Sequence, residues 1–344
     1  MTEPTFTIYY QDCITGMAEH LDPESVQCCV TSIPFGSLFT YSGKTEDIGN
    51  NVDGIDMRGG QFGLHLRFFV EQLFRVLEPG CIACIHIQQL IATNVQHGFM
   101  GRRDFRGAVI DLFTAGGFDW TGEFVIPKNP QIIAQRLKLH SLLFATGKRD
   151  TRKLAPAVND FVMVFRKPGE GTPVPALRDP NENPSGWVTT DEWIRDAHGV
   201  WTDIREMDTL TGWQSAREED DEKHVCPLQL EVIRRCVRLY TNAGGTVIDP
   251  FIGIGSTAWV AIEQGRNVVG FELKESYWTQ SIRNSERALR RRLEEQTLPL
   301  FEGLSPLPIL QEPMDSPSVL PANDSGDKAL SGSLVGATSN SGRE

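Results

Sequence analysis

The sequence has no apolar run close to the roughly 18–20 residues that a membrane-spanning helix requires. The segment from Met1 to Pro4 has neither the charged nor the apolar part of a secretory signal peptide. Internal repeats are also missing, and neither charged side chains (23%) nor hydrophobic ones (40%) are in excess among the 344 residues. These absences argue against membrane, secreted and repeat proteins, and we expect a globular cytoplasmic protein.

Cysteine pairs with the spacing of a metal site are nearly missing. The seven cysteines include one CxxC pair, Cys81 and Cys84, and neither a second pair nor paired histidines accompany it. Both residues lie in an apolar, strand-like run, and side chains three positions apart on a strand point to opposite faces of a sheet. The sequence therefore predicts buried structural thiols and no bound metal.

A positive net charge, common among nucleic-acid-binding proteins, is missing too, because the formal net charge is −12. The charges are unevenly distributed, however. Residues 128–153 hold seven positive side chains and one acid, whereas residues 169–224 hold fourteen acids and five bases. Since clusters of Lys and Arg bind phosphates locally, the first stretch is typical of a DNA-contacting surface or of a solvated basic face. The side chains that we expect to contact DNA are Lys128, Arg136, Lys138, Lys148 and Arg149.

Strand-like and helix-like runs alternate along the chain. Apolar runs predict strands at 5–10, 26–31, 81–87, 120–126, 161–165, 246–248 and 267–271. Helical spacing predicts helices at 14–21, 64–77, 106–115, 228–240, 256–264 and 276–293. This alternation predicts an α/β, Rossmann-like fold with a mostly parallel sheet and helices on both faces.

Composition divides the chain into four parts. Residues 1–167 and 224–297 carry the strand and helix patterns, and the polar residues 168–223 between them predict an insertion with little regular structure. Residues 298–344 are rich in Pro, Ser, Gly and Asn and lack aromatic side chains after Phe301. They cannot bury enough apolar surface to become ordered, so we expect a disordered tail.

One strand end has the composition of a nucleotide site. The run at 246–248 leads into Asp249-Pro250-Phe251 and then into Gly253 and Gly255, directly before a helix that begins at Ser256. Small residues at the carboxyl end of a strand let the backbone approach a nucleotide. About 20 residues later Glu272 ends the next strand, where a carboxylate can accept hydrogen bonds from ribose hydroxyls. The full phosphate fingerprint is absent, which favours a cofactor without pyrophosphate; a turn without any ligand is the alternative.

A second strand end has a different composition. The apolar run from Val26 to Thr31 is followed by Ser32-Ile33-Pro34-Phe35, which brings a hydroxyl, a proline and an aromatic ring together. The two strand ends together resemble the catalytic loop and the S-adenosylmethionine loop of DNA methyltransferases that modify an exocyclic amino group. The catalytic loop comes first in the chain, as in the circularly permuted beta class of adenine-N6 and cytosine-N4 enzymes. A plain strand-ending corner is the alternative interpretation of Pro34-Phe35.

The resemblance implies a circularly permuted, Rossmann-like methyltransferase fold, S-adenosyl-L-methionine as the cofactor and DNA as the partner, with or without a restriction nuclease. Residues 1–167 would form the catalytic half and 224–297 the cofactor-binding half, with 168–223 a possible target-recognition region. Asp12 matches the family's acid at the adenine end of the cofactor, for which a helix N-cap is the alternative role. The implied cofactor residues are Asp12, Thr31, Pro227, Asp249, Pro250, Phe251, Gly253, Gly255, Ser256 and Glu272.

The catalytic loop suggests how an amine would be activated. An exocyclic amine is a poor nucleophile because its lone pair is delocalised into the ring. The Ser32 hydroxyl and the Ile33 carbonyl can accept its two protons, so that the nitrogen becomes tetrahedral and its lone pair points at the methyl group. Orientation of this kind supplies up to ~7–11 kcal/mol. We expect Phe35 to stack on the flipped base, a contact worth about 1–3 kcal/mol.

The loop departs from the family pattern at Ile33, where the first of two prolines is usual. In the family, the residue before this position is usually serine in enzymes that methylate cytosine N4 and aspartate in those that methylate adenine N6. Because the loop is atypical, it does not decide between the two bases. Segments such as 130–140 and 221–229 resemble a branch often encoded by phages. A catalytically silent DNA or cofactor binder, and an amide or RNA methyltransferase on the same fold, remain alternatives; a nicotinamide dehydrogenase is disfavoured.

Overall fold

The computed structural model describes residues 3–35, 47–48, 60–92, 94–136, 139–211 and 227–301. The strands are β1 (Phe6–Tyr10), β2 (Val26–Ser32), β3 (Leu77–Gln88), β4 (Leu90–Ala92), β5 (Gly101–Arg103), β6 (Asp119–Ile126), β7 (Asp160–Arg166), β8 (Thr246–Asp249) and β9 (Asn267–Glu272). The helices are α1 (Cys13–His20), α2 (Gln61–Val76), α3 (Asn94–His97), α4 (Phe105–Ala115), α5 (Pro130–Arg136), α6 (Phe144–Arg149), α7 (Thr190–Asp196), α8 (Leu230–Tyr240), α9 (Ser256–Glu263) and α10 (Glu275–Phe301).

Seven of these strands form the central sheet, in the order β1-β9-β8-β2-β3-β7-β6, and β4 and β5 form a separate hairpin. The pairings from β1 across to β3 are parallel, and β7 pairs antiparallel with both β3 and β6. The predicted α/β fold with a mostly parallel sheet is therefore confirmed. The strand order changes direction between β2 and β8, and open α/β sheets bind their ligands at such a switch point.

Each face of the sheet is covered by its own apolar cluster. Side chains of α1, α2 and α4 pack on one face, and those of α8, α9 and α10 pack on the other. The CxxC pair illustrates the alternation, because Cys81 belongs to the first cluster and Cys84 to the second. Both are buried free thiols, as predicted, and burial raises the pKa of the Cys81 thiol to about 12.

The insertion is anchored to the second face of the sheet. In the described part, 168–211, α7 is the one α-helix, and Trp201 is buried against the Phe124 ring at a centroid distance of 4.3 Å. The Arg235 guanidinium of α8 lies over the Trp201 ring, 5.1 Å from its centroid, and forms ion pairs with Asp196 and Asp203. The middle of this segment is therefore held to the sheet by Trp201 and Arg235, and its role as an insertion stays a prediction.

Several element boundaries differ from the prediction. Glu78-Pro79-Gly80, expected to separate a helix from a strand, lies inside β3, where Gly80 adopts a φ of +76°. The last helix runs past its predicted end at residue 293, through the good helix formers Glu294 and Glu295, and ends at Phe301. Most of the tail predicted to be disordered lies outside the described residues. No helix of the described ranges is long and apolar enough to cross a membrane.

Candidate active site

The two strand ends singled out in the sequence meet at the switch point. β2 and β8 are hydrogen-bonded neighbours, with Cys28 opposite Val247 and Cys29 opposite Ile248. Thr31 Oγ1 donates a hydrogen bond of 2.6 Å to Oδ1 of Asp249, so residues 218 positions apart in the chain are joined directly. The two strand ends that resemble the family's catalytic loop and cofactor loop therefore lie side by side in the fold.

The Asp249 carboxylate holds the glycine loop in shape. It is buried, and it accepts hydrogen bonds from Thr31 Oγ1 and Thr257 Oγ1 at 2.6 Å each and from the Phe251 N–H at 3.0 Å. Burial raises the pKa of this carboxyl to about 6, against the effect of these three donors. Its two oxygens are thus engaged by the protein, and the role that the geometry gives Asp249 is to organise the loop.

The two glycines of this loop serve different purposes. Gly255 (φ +91°) precedes α9, and a Cβ there would lie 3.1 Å from Cα of Ser281, so close packing against α10 requires glycine. Gly253 (φ +54°) is different, because a Cβ there would meet no atom of the described residues within 4 Å. Among those residues its backbone therefore borders open space at the sheet edge, as a nucleotide site requires. Pro250 and Ser256 on either side are buried.

Two carboxylates lie at the adjoining strand ends. Glu272 closes β9 and accepts hydrogen bonds from the N–H groups of Lys274, at 2.8 Å, and Gly253. Burial raises the pKa of Glu272 to about 7 despite these donors. Asp12, just beyond β1, caps α1 by accepting from the N–H groups of Ile14 and Thr15 at 3.0 Å each. The structure thus shows the N-cap role, and contact of Asp12 with a cofactor stays a prediction, as does contact of Pro227, which precedes α8.

The catalytic loop leads to a buried polar network. Ser32 lies opposite His86 in the pairing of β2 with β3, and its Oγ is 2.9 Å from His86 Nδ1. His86 Nε2 lies 3.2 Å from Oδ2 of Asp160, which also pairs with Lys128 Nζ at 2.7 Å. Gln88 Nε2 donates to the other oxygen of Asp160 at 2.9 Å. Burial acts to raise the pKa of Asp160, but His86 and Lys128 outweigh it and hold that pKa below its usual value.

The other loop residues pack around this network. Ile33, which stands in place of the family's first proline, is buried in the first apolar cluster, and Pro34 is partly buried. Phe35 is also partly buried and meets His86 and Phe105 edge to face, at ring distances of 6.2 and 6.4 Å. The contacts of the Ile33 carbonyl and the Phe35 ring with a base stay predictions.

The sequence patterns predicted no role for His86, Asp160 or Gln88, and they predicted the wrong position for Lys128. The sequence contained one indication of this network, because His86 is a single polar residue in the apolar run 81–87. Lys128 was expected to face DNA, but its side chain is only 3% exposed and is paired with Asp160, so that assignment is wrong. Lys148 and Arg149 are exposed on α6. The side chain of Arg136 and the whole of Lys138 lie outside the described residues.

Comparisons with known proteins agree with this geometry. A profile of the family described as N6/N4 DNA methylase matches residues 26–283. The type II methyltransferase M.MjaI of Methanocaldococcus jannaschii is 27% identical over 208 residues, which are 60% of this chain and 61% of that relative. This chain thus spans less than two thirds of that relative's length.

Two solved structures share the predicted methyltransferase fold. TTHA0409 of Thermus thermophilus, described as a candidate DNA modification methylase and solved with S-adenosyl-L-methionine, is 20% identical, with a TM-score of 0.57 over 84% of this chain and 95% of that one. The cytosine-N4-specific PvuII DNA methyltransferase is 17% identical, with a TM-score of 0.54 over 85% of this chain and 94% of that one. By its sequence profile, its fold and its two joined loops, the chain belongs to the N6/N4 DNA methylase family.

Proposed function

We propose that this chain is a DNA methyltransferase that moves a methyl group from S-adenosyl-L-methionine to the exocyclic amino group of a flipped-out adenine or cytosine. The observation that carries the proposal is the 2.6 Å hydrogen bond from Thr31 to Asp249, which joins the catalytic loop to the glycine loop. Family membership supports it, as do the names of M.MjaI, a type II methyltransferase, and of the PvuII enzyme.

The residues around the glycine loop fit the cofactor. Glu272 has a carboxylate at the end of β9 that can accept hydrogen bonds from ribose hydroxyls, and the open space beside Gly253 can admit the adenosyl group. Bound S-adenosyl-L-methionine supplies a methyl group on a positively charged sulfur. Asp249, Thr31 and Thr257 act indirectly, by fixing the loop against which the cofactor binds.

The catalytic loop would hold the target base. The Ser32 hydroxyl and the Ile33 carbonyl accept the two amine protons, and this fixes the direction of the nitrogen lone pair. Flipping the base out of the duplex costs a few kcal/mol of unstacking. Stacking on Phe35 offsets about 1–3 kcal/mol of that cost.

The experiment that tests this proposal uses purified protein, S-adenosyl-L-methionine with a tritiated methyl group, and unmodified DNA. Nucleosides from the digested DNA are then identified by mass spectrometry. N6-methyladenine or N4-methylcytosine is the expected product, and its identity shows which base is the target. Cofactor binding without label in any DNA would contradict the proposal and favour a silent binder or a methyltransferase that acts on RNA or on an amide.

Cofactor affinity should depend on pH through Glu272. Its pKa is raised to about 7 in the free protein, whereas ribose hydroxyls donate to the ionised form. Below that pH the carboxyl must lose a proton when the cofactor binds, so affinity should fall by up to roughly tenfold for each pH unit. Isothermal titration calorimetry between pH of about 8 and about 6 measures the slope. The control variant, Glu272→Gln, should bind the cofactor more weakly, and its affinity should not depend on pH. If the variant kept the pH dependence of the wild type, another group would be responsible for it.

Lys148 and Arg149 are the described basic residues that we propose to contact DNA phosphates. Each phosphate contact contributes about 0.9 to the slope of log affinity against log salt concentration. Replacing both residues with alanine should therefore lower that slope in fluorescence anisotropy titrations with duplex DNA. Arg290→Ala, at an exposed site on α10, is the matched control. If the double variant had the same salt dependence as the wild type, Lys148 and Arg149 would not contact DNA phosphates.

A further inference from the structure

We infer that His86, held by Asp160, is a positioning residue that sets the direction of the Ser32 hydroxyl and receives the proton that a methylated amine must lose. The inference rests on the proposed function, in which Ser32 accepts a hydrogen bond from the target amine. It extends that function into the buried network behind the loop. Because His86 acts through Ser32, it need not touch the base itself.

The contacts of Asp160 determine which His86 nitrogen carries the proton. An ionised carboxylate only accepts hydrogen bonds, and Asp160 is paired with the Lys128 cation at 2.7 Å. Its Oδ2 faces His86 Nε2 at 3.2 Å as an ion-pair contact, and this buried nitrogen makes no well-aligned hydrogen bond within the described residues. Because the carboxylate can only accept, it favours the imidazole form that carries its proton on Nε2. In a neutral imidazole Nδ1 is then the acceptor, so the 2.9 Å contact is a hydrogen bond that the Ser32 hydroxyl donates.

The direction of the hydrogen bond between Ser32 and His86 determines how Ser32 can contact the amine. A hydroxyl has one proton, and when that proton is committed to His86 the Ser32 oxygen can only accept from the substrate. A freely rotating hydroxyl could instead donate its proton to the amine nitrogen and occupy the lone pair that must attack. His86 thus prevents the unproductive orientation.

The same contact gives the departing proton a path. Once the amine nitrogen has formed its bond to the methyl carbon, it carries a positive charge and one proton in excess. It passes that proton to Ser32 Oγ while the hydroxyl proton moves to His86 Nδ1. The imidazolium then lies beside the Asp160 carboxylate, with the Lys128 cation on the same oxygen. Repulsion from Lys128 favours release of the proton to solvent before the next turnover.

The first test needs no activity. In free protein labelled with ¹⁵N-histidine, long-range ¹H–¹⁵N correlation spectra report which ring nitrogens carry protons, and comparison with a His86→Ala variant identifies the His86 signals. We expect a protonated Nε2 and an unprotonated, hydrogen-bonded Nδ1. A protonated Nδ1 would overturn the inference even if the enzyme methylates DNA.

The second test is a double-mutant cycle on the single-turnover rate of methyl transfer. A group that moves protons contributes about 10²-fold or more, so His86→Ala should slow transfer by at least that factor with wild-type Ser32. With Ser32→Ala in place, the same change should have no further effect, because the residue through which it acts is gone. Equal losses in both backgrounds would show a merely structural role and overturn the inference.

His65→Ala, on α2 and outside the network, is the control and should leave the rate unchanged. The thermal midpoint of each variant checks that it is folded. If the wild type methylates no DNA, the proposed function fails, while the spectrum of the free protein still decides the state of His86.

Discussion

Ser32→Ala should reduce the rate of methyl transfer by about 10²–10³-fold, the loss seen when one preorganised polar contact to a reacting group is removed. The substitution takes away the oxygen that accepts an amine proton and that links the loop to His86 at 2.9 Å. It leaves Thr31 and its hydrogen bond to Asp249 intact, so the glycine loop keeps its shape. Cofactor affinity should therefore stay close to that of the wild type.

Single-turnover methylation and calorimetric cofactor titration measure the two quantities separately. Ser25→Ala is a matched control, because Ser25 precedes the same strand and its hydroxyl donates locally, to the Asp22 carbonyl. Phe35→Ala should also slow transfer without loss of cofactor. Full activity in Ser32→Ala would contradict the catalytic assignment.

Asp249→Ala should abolish cofactor binding and destabilise the fold. It would leave the hydroxyls of Thr31 and Thr257 and the Phe251 N–H without their acceptor in a buried site. Each unsatisfied buried group costs about 1–3 kcal/mol, so we expect a loss of about 3 kcal/mol or more. Urea unfolding measures the free energy of unfolding, and calorimetry measures the affinity.

Asp249→Asn is the control that separates charge from hydrogen bonding. Its amide oxygen can still accept from Thr31 and Phe251, and its NH₂ group can donate to Thr257 Oγ1. The Thr257 proton then turns to the Val30 carbonyl, which already lies 3.4 Å from that oxygen. We expect the Asn variant to lose far less stability than the Ala variant and to retain measurable cofactor binding. Normal cofactor binding by Asp249→Ala would contradict the role of this carboxylate in the loop.

Patterns that are local in the chain predicted the fold and the two loops. The alternation of apolar runs located the strands of the central sheet, and the residues around Ser32 and Asp249 carry their chemistry within short segments. The family is confirmed by the profile match, whereas the resemblance to a phage-encoded branch stays a prediction.

What the sequence did not predict depends on strand register. His86 faces Ser32 because β2 and β3 pair in one alignment, and Asp160 joins them because β7 runs antiparallel beside β3. Neither alignment is encoded in any one segment. Lys128 was misplaced for a related reason, since a count of charges along the chain does not tell which side chain turns inward to meet a buried acid.

The contacts of Arg235 with residues 168–211 restrict which segments can be exchanged between this chain and its relatives. Arg235 belongs to α8, yet its buried charge is neutralised in part by Asp196 and Asp203 of the insertion. A chimaera that replaces residues 168–211 without supplying two acids at these places would leave Arg235 with Glu231 of its own helix as its remaining partner. Loss of acids from a buried ion-pair network costs about 3–5 kcal/mol. The segment that can be exchanged is therefore larger than residues 168–211. Either α8 must come from the same donor as the acids, with the donor's own arginine, or α8 of the recipient must be altered to match the new segment.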